Sequence, residues 1–242
     1  MWQVLKKETG SFFSSLIAYI VIVVFLASMG LVTWVFPQTS VLEYGFANID
    51  PLFNLVPYVF MFIIPAITMR TFAEEKRGGT MELLLTRPLT DMQIITGKFM
   101  ASLLLIAFAL LPTLVYYFSV YTLGSPAGNI DTAAVAGSYL GLLLLAAVFT
   151  AIGVLSSSFT DNQIVAFIVA VFLCFFFYDG FSSLASVNVW ASYSYFISQI
   201  GIDYHYTSMS RGLIDLRNVI YFFSVIIVML HLTRLVLASR KW

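Results

Sequence analysis

The sequence predicts an all-α membrane protein of six transmembrane helices, and three observations carry that reading. The 242 residues are 60% hydrophobic and only 10% charged, with a mean hydropathy of +0.95. That leaves too little polar surface to coat a water-soluble globule of this size. The apolar residues fall in long runs, six of which reach the roughly 20 residues a helix needs to cross a bilayer. They lie at about 14–36, 52–70, 92–121, 133–157, 162–187 and 218–237, so that residues 1–242 form one transmembrane domain.

The first run follows Lys6 and Lys7, as a signal peptide would, but extends from about Phe12 to Phe36. A cleaved apolar region is about 7–15 residues long, so this one is read as a retained span. Before it, Trp2, Val4 and Leu5 with the two lysines suit a helix lying in the membrane interface; the alternative is a frayed end. Pro57 and Pro65 interrupt the second run, and Pro112 should kink the third. Neighbouring helices can satisfy the carbonyls that a proline frees, so these residues are compatible with membrane helices.

Orientation follows from the basic residues. With the first residues inside, the cytoplasmic side collects Lys6, Lys7, Arg70, Lys76, Arg77, Arg87, Lys98, Arg234, Arg240 and Lys241, and only Arg211 and Arg217 fall outside. That asymmetry is the positive-inside pattern of a bacterial inner-membrane protein with both termini cytoplasmic. Two similar stretches, Thr90-Asp91-Met92-Gln93-Ile94 and Thr160-Asp161-Asn162-Gln163-Ile164, stand where cytoplasmic helix starts are expected. Each reads as a Thr-x-x-Gln capping box with an acid in the first turn. In the fourth run Gly137 and Gly141 form a GxxxG pair. It permits a close helix seam, either between subunits or within the bundle, where ordinary intramolecular packing is the simpler reading.

The segment between spans two and three is the most informative. Thr71 and Glu74 suggest another capping box, so a charged helix should run to about Arg77, where Gly78-Gly79 breaks it. Residues 80–86 then favour a helix of about two turns that Pro88 ends. Met81, Leu84 and Leu85 share one face of it. Two turns have little stability alone, so this stripe must bury against the membrane or a cytoplasmic partner. In the 188–217 segment, Trp190, Tyr193, Phe196, Ile197 and Ile200 recur at helical spacing and predict an amphipathic helix at the outer interface. Arg211 and Asp215 could pair at i, i+4, and Asp215 could cap span six.

Catalytic signatures are not evident in the sequence. Net charge is zero, which argues against a nucleic-acid binder. His205 and His231 are far apart and suggest no metal cluster. There is neither a GxxxxGK[ST] phosphate loop nor a GxSxG elbow. The one cysteine, Cys174, lies in an apolar run and reads as packing. Asp179, near the outer end of span five, is either a functional acid or a solvated structural one. A secondary transporter or channel would want more ionisable residues at mid-membrane, and a membrane-embedded enzyme would want clustered His, Asp or Ser.

Glu74-Glu75-Lys76-Arg77-Gly78-Gly79-Thr80-Met81-Glu82-Leu83-Leu84-Leu85-Thr86-Arg87-Pro88 resembles the signature loop of ABC-2-type permeases. The likeness extends over the whole chain, in the interfacial first helix, the six spans and the large fifth external loop of type V exporters. Residues 160–166 and 210–217 are similar to the gliding-motility-associated permeases of the Bacteroidetes, the GldF subgroup. The resemblance implies the membrane half of an ABC transporter, paired with a second copy or a related membrane subunit and seated in lipid. It implies a separate cytoplasmic ABC ATPase that holds ATP and Mg, with no cofactor on this chain. The helix at 80–86 would be the coupling helix, with Glu75, Gly79, Thr80, Met81, Glu82, Leu84, Leu85 and Pro88 at the contact.

Overall fold

The computed structural model describes residues 1–43, 47–81, 89–187 and 193–239, and these form helices and connecting turns without a strand. The first helix, α1 (Trp2–Ser14), stops where Ser15 turns extended, and α2 (Leu16–Trp34) begins at once. Their axes differ by 68°, so α1 lies across the end of the bundle while α2 enters it. Five further helical stretches are long and apolar enough to cross a membrane, and the bent α1–α2 pair makes a sixth. The six expected spans are therefore all helical.

Span two is α3 (Asp50–Thr68) followed, after a single-residue interruption at Met69, by α4 (Arg70–Arg77). The expected Thr71 capping box is not formed. α4 starts at Arg70, after Met69, which keeps right-handed helical angles, so Thr71 stands inside the helix and not at its cap. The Thr71 hydroxyl donates to the Thr68 carbonyl and Glu74 pairs with Arg70. Span three opens as expected, with the Thr90–Gln93 capping box at the start of α5 (Asp91–Leu110). The bend expected at Pro112 is a 3-10 turn, Leu111–Thr113, before α6 (Leu114–Leu123).

Span four, α7 (Thr132–Phe159), is the axis of the molecule. It packs on α3 and α5, on α8 (Gln163–Phe175) of span five and on α12 (Leu216–Ala238) of span six, and most of its length is buried. At Gly153 the absence of a side chain brings α7 against α3, because a Cβ there would stand 2.0 Å from Thr68 Oγ1.

Span five corrects the second capping box. Its helix starts two residues later than expected, because the Thr160 hydroxyl accepts from the Asn162 N–H and Asn162 caps the Ile164 N–H. A π turn, Phe176–Gly180, carries Asp179 and leads into α9 (Phe181–Ala185). The segment between spans five and six holds two helices where one was expected, α10 (Ser194–Ile200) and α11 (Ile202–Met209); Trp190 lies outside the described residues. α10 leaves Tyr195, Phe196 and Ile200 exposed, whereas α11 buries Ile202, Tyr206 and Met209. Residues 211–215 are not helical, so the expected i, i+4 pairing of Arg211 with Asp215 does not arise. Asp215 instead caps α12 through the Arg217 N–H.

Candidate functional site: the basic end of the bundle

One end of the bundle gathers α1, α4, the start of α5, the end of α7 and the end of α12. It carries Lys6, Lys7, Arg70, Lys76, Arg77, Lys98 and Arg234, against Arg211 and Arg217 at the other end. Here α4 ends as its glycines foretold. The Gly79 N–H bonds the Lys76 carbonyl and the Thr80 N–H the Glu75 carbonyl, at 3.2 and 3.0 Å, with Gly79 at φ +67°. This pair of bonds is a Schellman cap, whose left-handed residue is best served by glycine. The cap leaves Arg77, Gly78, Gly79 and Thr80 exposed at the tip.

Beneath that tip lies a buried ion cluster. Lys98 stands two turns inside α5 and is only 1% exposed. Its ammonium bonds Glu8 Oε1 of α1 at 3.0 Å, Glu75 Oε1 of α4 at 2.9 Å and the Thr71 carbonyl at 2.6 Å. All three ammonium protons are thereby used, and the Phe72 ring lies 5.2 Å away. Lys7 adds a second, exposed cation 3.5 Å from Glu75 and 3.9 Å from Glu8. Glu75 Oε2 is buried without a hydrogen-bond partner among the described residues. The cluster ties α1, α4 and α5 together. Packing supports it, since Gly97 faces Val4 so closely that a Cβ would approach it at 3.0 Å.

The end of α7 joins the same helices. Lys76 Nζ donates to the Ser158 carbonyl, and the Ser157 hydroxyl reaches the backbone of α4 at Phe72 and Ala73.

Of the residues singled out in the sequence, Gly79 and Thr80 form the exposed tip. Glu75 faces inward onto Lys98, and Met81 is buried in the protein's own apolar core. Glu82, Leu84, Leu85 and Pro88, with most of the expected helix over 80–86, lie outside the described residues. Sequence reasoning missed Glu8 and Lys98; it read Ser157, with Thr150 and Gly153, only as a loosely small-residue face for close packing, not as a hydrogen-bond partner of span two. Lys98 did carry a signal: a lysine seven residues into a span lies about 10 Å along its axis, where an ionisable group calls for a partner.

Gly137 and Gly141 sit at the opposite end, and their seam is intramolecular. A Cβ on Gly137 would meet the Gly212 carbonyl at 2.9 Å, and one on Gly141 would meet Met209 Cβ at 2.9 Å. The segment between spans five and six, not another span, fills the groove. Ser138 donates to the Ser210 carbonyl at 2.8 Å, and the Tyr206 hydroxyl donates to the Phe53 carbonyl of span two at 2.6 Å. Burial, with Asp203 close by, pushes the Tyr206 phenol up from its usual pKa. His205 ties the same segment to span six, its ring lying 2.8 Å from Asn218 Oδ1 and stacked on Tyr221 at 3.8 Å. Asp179 is half-buried within the π turn. Among the described residues no group of three metal-ligating side chains comes together.

A family model described as ABC-2 family transporter protein matches residues 2–240, nearly the whole chain. No curated protein matches it.

Proposed function

From the premise that the chain belongs to the ABC-2 family of transporter proteins, we propose that it is a permease subunit worked by a separate cytoplasmic ATPase. ATP and Mg belong to that partner, since this sequence has no GxxxxGK[ST] stretch. The basic end faces the cytoplasm of a bacterium, a placement that the basic-residue asymmetry supports, and the ATPase seats on residues 79–88.

One observation carries the reading: the Schellman-capped end of α4, an exposed Arg77–Thr80 tip clamped from below by the Lys98 cluster. Force applied at such a tip reaches the three helices that the Lys98 cluster links. Met81 is buried in the core, which leaves Leu84 and Leu85 as the apolar contact and Glu82 as the candidate partner of a basic residue on the ATPase. A second copy or a related membrane subunit completes the transporter through the apolar surfaces of α2 and α8, where Ile20, Val23, Ile168 and Phe172 are exposed. The finer role lies with gliding-motility permeases, on the likeness at 160–166 and 210–217.

The test is purification in mild detergent from the native host, scoring whether an ABC ATPase co-elutes, using wild type and Leu84→Asp at equal membrane levels. The substitution puts a charge into an apolar contact and should reduce recovery by roughly a hundredfold or more, with normal insertion. Equal recovery withdraws the docking on this loop. No ATPase with the wild-type chain withdraws the ATPase partnership itself.

A further inference from the structure

Ser157 is fully buried in the last turn of α7, yet its hydroxyl serves the backbone of another span. Its Oγ accepts from the N–H groups of Phe72 and Ala73 at 2.9 and 3.0 Å and donates to the Met69 carbonyl at 2.9 Å. In an unbroken helix those two N–H groups would bond the carbonyls of Thr68 and Met69. The Thr68 carbonyl is taken by the Thr71 hydroxyl, at 2.7 Å. A side chain of span four therefore stands inside the hydrogen-bond ladder of span two, one of the few known causes of a helix interruption. The interruption falls where expected, between Thr68 and Arg70.

What lies beyond Met69 is held by groups outside span two. The Thr71 carbonyl bonds Lys98, Lys76 bonds the end of α7, and Phe72 and Ala73 are fully buried. Close approach at Gly153, one turn before Ser157, gives the hydroxyl its reach. We infer that Ser157 is a positioning residue whose hydroxyl makes Met69 a hinge, so that α4 moves as a lever with α7 instead of as the stiff end of α3. This rests on the function proposed above only in naming α4 as the arm that bears the coupling loop. Because α7 packs on α3, α5, α8 and α12, a tilt of α4 is delivered to four spans at once.

The test uses the full chain in lipid nanodiscs. Amide exchange is followed at Phe72 and Ala73, and spin labels at Arg77→Cys and Asp161→Cys report the separation between the end of α4 and the turn that follows α7, in a Cys174→Ala background. Ser157→Ala should speed exchange across 70–77 by roughly tenfold, the loss of one buried acceptor. Exchange over 52–66 should stay unchanged, and the label distances should broaden. Ser157→Thr, which keeps the hydroxyl, should restore both. Wild-type behaviour of Ser157→Ala in both measurements overturns the hinge, as does an equal rise in exchange along all of 50–77, which would mean general loosening. Neither measurement needs the ATPase, so failure to recover an ATPase overturns the proposed function and not the hinge.

Discussion

Replacing Lys98 with Met tests whether the buried cluster binds the basic end together. Methionine matches the length and apolar stem of lysine, so the change removes a charge and three hydrogen bonds while creating little empty volume. It strands Glu8 and Glu75, whose side chains are each 13% exposed. Removing one partner of a buried ion pair costs about 3–5 kcal/mol. Lys7 remains close to both carboxylates, but it is 65% exposed and offsets at most about 1 kcal/mol. The net loss is about 3 kcal/mol, which at about 2–4 °C per kcal/mol for a chain of this size lowers the thermal midpoint by about 6–12 °C. The assay is thermal unfolding of the purified chain in one detergent. Lys98→Met/Glu8→Gln/Glu75→Gln removes all three charges and should recover most of the loss, since a neutral buried network has no stranded ion. A fall below about 2 °C for the single variant, or a triple variant no more stable than the single one, would refute the electrostatic account.

Further outcomes follow from other contacts. Gly153→Ala places a methyl 2.0 Å from Thr68 Oγ1 and should destabilise by about 1–3 kcal/mol through overpacking, read as a lower thermal midpoint; Thr68→Ala should relieve part of this. Tyr206→Phe removes the hydrogen bond to the Phe53 carbonyl and should cost about 1–2 kcal/mol in the same assay while leaving ATPase recovery unchanged. In intact cells an impermeant thiol reagent should label Leu213→Cys and not Gly78→Cys, both positions being exposed. Labelling at Gly78→Cys would reverse the orientation.

The helix ends were legible wherever a local bond defines them. Thr90 with Gln93, Gly79 and Asp215 each satisfy backbone groups within a few residues, so sequence spacing suffices. The same logic failed at Thr71 and Thr160 because a rival local bond won. Thr71 donates back to the Thr68 carbonyl across the interruption at Met69, already one residue inside α4, and Asn162 outcompetes Thr160 as the cap. What stayed hidden is set by partners far along the chain. Ser157 reads as one more small residue on the face of Thr150 and Gly153, and its bonds to residues 84 and 85 positions away leave no periodic trace. Gly137 and Gly141 announce a close approach but not its occupant, because a glycine pair accepts a loop as readily as a helix. The six spans, by contrast, follow from apolar length alone, which the bilayer imposes on each helix separately.

The bond between Glu8 and Lys98 spans 90 residues of sequence, and that separation orders events during synthesis. At about 5–20 residues per second, Lys98 leaves the ribosome several seconds after Glu8. Through that interval the carboxylate has only Lys7 and water for company, so α1 must wait at the lipid headgroups on the strength of Trp2 and its lysines. Only when the third span inserts does the first helix acquire its berth. A nascent chain halted before residue 98 should therefore leave α1 open to protease, and a chain released past it should close that window.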